Sequence, residues 1–345
     1  MKIKESIKNI LPTSWVVRLK QMKDYSLHKR IVNEGFAYDK KKFEKNSASF
    51  NLNTNEKLKS FLIKEYHAIE KGLALQRPKV GFGQERIKNL IEYLSYYIDE
   101  YGVDDVIVVT KNVLLEYKSF DEAYNKDKNE LIPLIDDILK KITDHNLKDI
   151  RIGGGTKKIK KSDVFNSISN IDFDTFFKTR YSVRDFSDEP VNVDVLLEAI
   201  DTAKYVPSVC NRQPWKAYVI RPENTELKSK LLSVQNGNKG FGDSISSLIV
   251  VTGKLSHFFA YERNQVFIDG GMFAMSIVLA LHSKGFGTCC LNLSYTAEMN
   301  RKFDEIMNFD KDTVPIMYIA VGNLKQDFKV AISNRKLLNE IVKVY

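Results

Sequence analysis

An apolar stretch from Gln265 to Lys284 constrains the fold of this chain more than any other segment. After Asp269 it is apolar on nearly every face of a helix, so the helix has to be surrounded by other elements. Its longest uninterrupted part, Gly270 to Leu281, is shorter than the ~18–20 apolar residues that span a bilayer. The sequence therefore predicts a buried central helix that ends at Gly285.

Short apolar runs before and after this helix have the composition of strands. They are Trp215–Ile220, Ser247–Gly253, Thr288–Leu293 and Val314–Val321. Helical spacing of the apolar residues predicts helices at Leu227–Ser233 and Thr296–Met307 between these runs. Strands separated by helices predict an α+β domain in which helices cover both faces of a sheet.

The stretch before the first predicted strand groups basic, hydroxyl and amide side chains around one amphipathic helix. Arg180 and Arg184 are four residues apart, with Ser182 between them. Apolar residues recur at helical spacing over 195–203, and the helix should end before Pro207 because a residue that precedes proline disfavours helical backbone. A polar loop with the sequence Ser-Val-Cys-Asn-Arg-Gln-Pro follows directly.

These side chains together favour a mononucleotide-like ligand. Two arginines and a serine can hold a phosphate through charge-assisted hydrogen bonds. The amides of Asn211 and Gln213 each offer a donor and an acceptor, which suits the edge of a heterocycle. The alternative is that both arginines form surface ion pairs and that the loop is only a turn. Arg212, between the two amides, is expected to face outward.

The order of these residues resembles the opening motif of the nitroreductase-like flavoproteins, which bind FMN. The matching pattern is Arg-Tyr-Ser-Val-Arg at 180–184, a helix, and then Pro207, Ser208, Asn211, Gln213, Pro214 and Trp215. The resemblance covers about residues 172–345. It implies a nitroreductase-like helix–sheet–helix sandwich of α+β class, preceded here by a mostly helical N-terminal module.

Two later stretches extend the resemblance. The central helix and the glycine-rich strand after Gly285 are similar to elements of the family that bring backbone amides to the flavin ring. Asn238 corresponds to an asparagine on the ring edge, and Arg335 to a basic residue on the phosphate. The cofactor-binding residues that the resemblance implies are Arg180, Ser182, Arg184, Pro207, Ser208, Asn211, Gln213, Asn238, Asn292, Leu293, Ser294 and Arg335.

The resemblance also implies an activity. A nicotinamide, NADH or NADPH, passes hydride to FMN and leaves, and an organic acceptor takes its place and is reduced. Nitro compounds or quinones would serve as surrogate acceptors. The flavin would lie at a homodimer interface, with contacts from both subunits. Such chemistry needs no side chain as general base, so no catalytic residue is nominated, and no residues with convincing metal-ligand spacing are present.

The first 165 residues form a different part of the chain. Residues 1–50 are basic and amphipathic, and Pro12 interrupts any single helix there. They predict a helix docked on the protein or a frayed terminus; the alternative for residues 1–45 is peripheral contact with an anionic membrane surface. The remainder predicts four helices, at Asn55–Leu75, Gln84–Tyr101, Asp104–Tyr117 and Asp121–Thr143, and then a basic linker. The predicted domains are 1–50, 51–165 and 166–345.

Charge and cysteine content narrow the alternatives. The net charge is +9, of which residues 1–170 carry +8. The charges of 50–145 are mixed in sign, which argues against a nucleic-acid-binding face. Three cysteines without metal-site spacing and the lack of a signal peptide favour the cytoplasm. A second hypothesis keeps the flavin but makes the protein a tailoring enzyme of glycan or other surface-polymer biosynthesis, at the inner face of the membrane, whose N-terminal module binds substrate or membrane.

Overall fold

The computed structural model shows a helical N-terminal module followed by a sheet that is covered by helices. It describes residues 12–75, 78–124, 130–143, 153–156, 172–293, 296–328, 330, 335 and 337–345. Residues 1–11 and Ser294, for which the sequence makes predictions, lie outside this set. The N-terminal helices are α1 (Thr13–Asn46), α2 (Asn55–Leu73), α3 (Gln84–Tyr101), α4 (Asp105–Tyr124) and α5 (Leu131–Thr143). The C-terminal elements are α6 (Phe173–Lys178), α7 (Val193–Ala203), β1 (Trp215–Ile220), α8 (Thr225–Ser233), β2 (Ser247–Lys254), α9 (Gln265–Ser283), β3 (Phe286–Asn292), α10 (Ala297–Met307), β4 (Thr313–Asn323) and α11 (Leu338–Ile341).

The four strands form one antiparallel sheet in the order β1-β2-β4-β3. β1 begins at Trp215, opposite Gly253 near the end of β2. β3 ends at Asn292, opposite Met317 in the first half of β4. The start of β1 and the end of β3 therefore lie at the same end of the sheet but on its two opposite edges.

Helices cover both faces of this sheet. Successive residues of a strand point to opposite faces, and in β2 Ile249 packs with α7 and α9 whereas Val250 packs with α8 and α10. In β4 the same alternation places Ile319 on the first face and Tyr318 on the second. This arrangement confirms the predicted α+β sandwich.

The central helix α9 is buried as its apolar sequence predicts. Phe273, Ile277 and Leu281 pack against the sheet. Gly270 permits a close approach to β4, because a Cβ atom at this position would lie 2.7 Å from Ile316 Cγ1. Among the described residues α9 is the one helix that is long and apolar enough to cross a membrane by length and composition alone, and half of that window is buried inside the protein.

The helices α2 to α5 pack around an apolar core of their own. Leu62, Leu94 and Ile135 are fully buried in it. The helices predicted at 55–75 and 84–101 are confirmed as α2 and α3. The N-terminal part of the chain is therefore mostly helical, as expected.

The predicted helix break after Tyr117 is wrong, because α4 continues to Tyr124. The Phe120 ring packs against Phe82, with 6.2 Å between the ring centroids. Asp121, one residue later, is also buried. The buried face of α4 thus extends past the polar residues that suggested a break, and tertiary packing outweighs local propensity here.

The helix α1 is continuous over 34 residues and begins directly after Pro12. Its C-terminal part docks on the sandwich: Tyr38 Oη and Lys42 Nζ donate to Asp304 Oδ2 of α10, at 3.2 and 3.3 Å. No residue of α1 is fully buried, and Trp15 in its first turn is exposed. The prediction of a docked helix is confirmed for these last turns.

Candidate functional site

The Arg180–Arg184 segment lies along the outer edge of β3. The backbone N–H of Val183 donates to Thr288 O at 2.9 Å, and Ser182 pairs with the same strand residue. Val183 is buried in the sandwich core. Side chains alternate along an extended segment, so the two arginines and the serine share the opposite side.

Neither arginine of this segment is neutralised within the part of the chain that the structure describes. No described carboxylate forms an ion pair within 4.0 Å of either guanidinium. The nearest acid in sequence, Asp185, instead binds Lys325, with 2.5 Å between Oδ1 and Nζ. Arg184 Nη1 reaches the backbone carbonyl of Ser182 at 3.4 Å. Two neighbouring cations without a counter-ion favour the binding of an anion such as a phosphate.

Two adjacent cysteines in β3 lie within the electrostatic field of these arginines. Burial raises the pKa of Cys289, and the positive charges of Arg184 and Arg180 oppose that rise. Burial and then Cys289 raise the pKa of Cys290 to about 11, with Arg180 again opposing, although the residue as a whole is exposed. Both thiols are therefore protonated at neutral pH and are poor nucleophiles.

The loop at 207–214 has an unusual backbone. Cys210, Asn211 and Gln213 have φ angles of 50°, 52° and 48°. Non-glycine residues in the left-handed region cost about 1–3 kcal/mol each, and such strain concentrates at binding sites. Asn211 and Gln213 are both exposed, so the strained backbone presents the two predicted amides to the surface.

Asp269 of α9 anchors this loop through a hydrogen bond to its backbone. Its Oδ2 accepts a hydrogen bond from the Val209 backbone N–H at 3.2 Å, and its Oδ1 accepts one from Gln265 Nε2 at 2.8 Å. Within the loop, Ser208 Oγ accepts from the Gln213 N–H at 3.0 Å. Burial raises the pKa of Asp269. Sequence reasoning missed this anchor, although one acid in an otherwise apolar helix was the indication of it.

The expectation that Arg212 faces outward is wrong. Its side chain is completely buried, and its Nη2 lies 2.6 Å from Glu262 Oε1. The guanidinium carbon lies over the rings of Phe258 and Phe259, 5.5 and 5.4 Å from their centroids, and Nη1 donates to His257 O. Arg212 is therefore an internal anchor of the 207–214 loop.

A chain of amide side chains links Asn238 to the end of β3. Asn238 Nδ2 donates to the carbonyls of Leu232 and Gln235, at 2.8 and 2.7 Å. The buried Gln235 donates through Nε2 to Asn292 O at 3.2 Å, and its Oε1 accepts from the Gly237 N–H at 2.6 Å. Gln235 thus orients the end of β3, a role that the sequence pattern did not distinguish from that of Asn238.

A cleft of about 410 Å³, here called the α1 cleft, opens beside Asn292 and Leu293. Its other lining residues are Tyr38, Asp39 and Lys42 of α1, Phe267 of α9, Asn300 of α10, and Val314, Pro315, Ile316 and Met317 of β4. A cavity of this size is within the range of small-ligand sites. None of the α1 residues that line it was among the predicted site residues.

The structure separates the predicted cofactor-binding residues into two groups. Arg180, Ser182, Arg184, Asn292 and Leu293 lie along the β3 edge, and Asn238 joins them through Gln235. Pro207, Ser208, Asn211 and Gln213 precede β1, on the opposite edge. Three strand spacings, about 14 Å, separate the two edges. Arg335 is exposed in the last segment of the chain.

Comparisons with known proteins match the half of the chain that carries both groups. Residues 177–239 match the model of the Nitroreductase family. A Bacillus subtilis protein assigned by name as an NAD(P)H nitroreductase, YodC, is 23% identical over 180 residues, which are 42% of this chain and 86% of that protein. The nitrobenzene nitroreductase of Ectopseudomonas oleovorans is 40% identical over 53 residues, which are 15% of this chain and 23% of that protein. A solved structure of a Desulfovibrio desulfuricans protein, assigned as a nitroreductase and in complex with FMN, aligns at 19% identity with a TM-score of 0.42, over 50% of this chain and 96% of that chain.

Proposed function

We propose that this chain, whose C-terminal half contains a nitroreductase-family domain, is an FMN-dependent oxidoreductase that passes hydride from NAD(P)H to an organic acceptor. The observation that carries the proposal is the pair of guanidiniums of Arg180 and Arg184, which flank the Ser182 hydroxyl and form no ion pair with a described carboxylate. A phosphate monoester carries between one and two negative charges at neutral pH. The donor set of this segment therefore fits the phosphate of FMN.

Other predicted residues fit the remainder of such a cofactor. Arg335 would add a third guanidinium at the phosphate. Asn292 and Leu293 end the strand beside which the two arginines lie, and they would contact the flavin ring. The hydrogen bond from Gln235 to Asn292 O, at 3.2 Å, would keep this strand end in position.

The separation of the two groups of predicted residues supports a homodimeric site. Pro207, Asn211 and Gln213 are expected at the same ring as Asn292, yet in one chain they lie on the far edge of the sheet. A second copy that presents its 207–214 loop to the β3 edge would complete the site. A two-fold dimer would then contain two such sites.

The chemistry comes from the cofactor, and the chain contributes binding and orientation. Bound FMN would supply a ring that accepts hydride from NAD(P)H and returns two electrons to the acceptor. With a quinone as surrogate acceptor, NAD(P)H, one proton and the quinone give NAD(P)⁺ and the hydroquinone. No side chain is assigned as general base. Within the described ranges no group of three or more His, Cys, Asp or Glu side chains is placed to hold a metal ion.

Flavin retention tests this proposal directly. The purified chain is incubated with excess FMN, passed through a desalting column, and assayed for flavin absorbance per chain. We expect about one FMN per chain, bleaching of its colour by NADH or NADPH without oxygen, and its return on addition of a quinone. Protein that keeps no flavin would overturn the proposal.

A second candidate function places the same flavin chemistry at a membrane, in a tailoring enzyme of glycan or other surface-polymer biosynthesis. The observation that favours it is the exposure of Trp15, Met22, Tyr25 and Phe36 on α1 among basic residues.

If this membrane candidate fails, we place the protein in the cytoplasm, in keeping with its three unpaired cysteines. Sedimentation with anionic vesicles, for the full chain and for a chain that starts at residue 50, separates the two. Equal binding of both chains would remove the membrane candidate.

A further inference from the structure

The α1 cleft has walls from two different parts of the chain. One wall is the end of β3 with the start of β4, which is apolar apart from Asn292. The other wall includes α1, which comes from the N-terminal part of the chain and contributes the polar side chains of Tyr38, Asp39 and Lys42. A segment about 250 residues earlier in the sequence thus faces the predicted flavin-contacting residues.

The α1 wall is held in place by its own contacts. Tyr38 Oη and Lys42 Nζ lie 3.2 and 3.3 Å from Asp304 Oδ2, and the Lys42 side chain is only 11% exposed. Burial, followed by the charge of Asp304, raises the pKa of Tyr38 to about 12. Phe43, one residue after Lys42, packs into an apolar cluster of the sandwich. This part of α1 is therefore a preorganised wall of the cleft.

The charges on this wall do not cancel. The Lys42 ammonium is compensated by Asp304, at 3.3 Å. Asp39 forms no ion pair within 4.0 Å with any described residue. Burial raises the pKa of Asp39, and the charge of Lys42 opposes that rise. Asp39 is exposed as a residue and lines the cleft, so its carboxyl group, when ionised, repels a second anion there.

We propose that α1 is the acceptor-selecting wall of the active site, and that Asp39 makes the α1 cleft prefer neutral planar aromatic acceptors to anionic ones. This inference rests on the proposed function, because it takes Asn292 and Leu293 as neighbours of the flavin ring. The apolar residues at 314–317 accommodate a ring, and the hydroxyl and ammonium of α1 can donate to its carbonyl or nitro oxygens. The acceptor class is therefore neutral quinones and neutral nitroarenes.

Two acceptors that differ in one substituent, 4-nitrobenzoate and 4-nitrobenzamide, test the charge preference. For flavin-loaded protein we measure kcat/KM with each acceptor, and calorimetric titration gives the Kd of each for the oxidised protein. The wild-type chain should favour the amide in both measurements. Asp39→Asn removes the charge at nearly constant shape. It should raise the benzoate-to-benzamide ratio of kcat/KM and lower that of Kd, each about three- to tenfold, the scale of one charge interaction across a partly hydrated cleft.

Matched variants decide between this inference and a general charge effect. Glu44→Gln makes the same charge change on α1 at an exposed residue that pairs with Lys40 outside the cleft, and it should leave both ratios unchanged. Lys42→Met removes the cation that pairs with Asp304 and whose charge acts on Asp39, and it should lower the benzoate-to-benzamide ratio of kcat/KM. Flavin-loaded Asp39→Asn with an unchanged ratio, or an equal rise in Glu44→Gln, overturns the inference and leaves the proposed function standing. Wild-type protein that retains no FMN overturns both.

Discussion

Arg212 Nη2 lies 2.6 Å from Glu262 Oε1 in the interior of the protein, and this ion pair anchors the loop that carries the predicted ring contacts. The Arg212 backbone lies between Asn211 and Gln213, which both have left-handed φ angles. An inward guanidinium at this position turns the two neighbouring amides toward solvent. The buried guanidinium of Arg212 thus keeps the strained loop in one conformation.

Arg212→Ala should therefore act through stability. Removal of one partner leaves Glu262 buried without compensation, and we expect the free energy of unfolding to fall by about 3–5 kcal/mol. Urea unfolding measures this change. Arg221→Ala is the matched control, because the Arg221–Glu223 pair is exposed and 3.8 Å apart; its effect should stay within about 0.5 kcal/mol. Equal losses in the two variants would contradict the anchoring role.

Arg180→Ala and Arg184→Ala should act on flavin binding rather than on folding. Each variant removes charge-assisted hydrogen bonds to the phosphate, worth about 1.5–3 kcal/mol, so the Kd for FMN should rise roughly 10- to 100-fold. Fluorescence titration of FMN gives the Kd. Lys178→Ala, which removes a neighbouring exposed cation paired with Asp174, should leave the Kd unchanged. An unchanged Kd in both arginine variants would mean that the phosphate is bound elsewhere.

Mixing two defective chains tests whether the site is shared between subunits. One chain carries Arg180→Ala with Arg184→Ala, and the other carries Asn211→Ala with Gln213→Ala, so each lacks one group of predicted contacts. In a randomly mixed dimer population, about a quarter of the sites would combine two intact groups. We expect the mixture to recover about that fraction of tight FMN binding, while each variant alone shows little. No recovery after verified subunit exchange would place both groups in one chain's site.

The fold of the C-terminal half was predictable because its elements have strong local patterns. The apolar residues of α9 and the continuous runs of β2 and β4 leave few alternatives to a covered sheet. The continuation of α4 to Tyr124 was not predictable, because it depends on the contact between Phe120 and Phe82, residues distant in sequence. The helix propensity of the residues around Tyr117 carries no information on that contact.

The sequence indicated candidate residue types for the site but not their geometry. The grouping of Arg180, Ser182 and Arg184 was expected from their closeness in sequence, and alternation along the extended segment that the structure shows places them on one side. The inward turn of Arg212 could not be foreseen, since Glu262 and the aromatic rings around it come about 50 residues later. The wall formed by Tyr38 and Lys42 depends likewise on a contact with Asp304.

The partly buried His257 should make stability depend on pH. Burial, and then the charges of Lys254 and Arg212, lower its pKa from 6.5 to about 4. As pH falls, the unfolded chain takes up this proton first, so the stability that neutral His257 contributes is present above pH 6.5 and is lost between 6.5 and about 4. Because His257 is partly exposed, the loss is at most about 3 kcal/mol. In His257→Gln the free energy of unfolding should fall less than in the wild type across this pH window, by that amount. The control His28→Gln, on the exposed side of α1, should follow the wild type. A pH dependence in His257→Gln that is equal to that of the wild type would contradict the assignment.

Two adjacent glycines in α9 should respond in opposite directions to the same substitution. A Cβ at Gly270 would lie 2.7 Å from Ile316 Cγ1, in a packed core that cannot move aside freely, whereas a Cβ at Gly271 meets no atom within 4 Å. Gly270→Ala should therefore lower the free energy of unfolding by about 1–3 kcal/mol. Gly271→Ala should raise it by about 0.5–1 kcal/mol, because alanine loses less backbone entropy in a helix. Urea unfolding of both variants gives the two signs, and a loss at both positions would mean that Gly271 is also covered, as it would be if α9 packs against a second subunit.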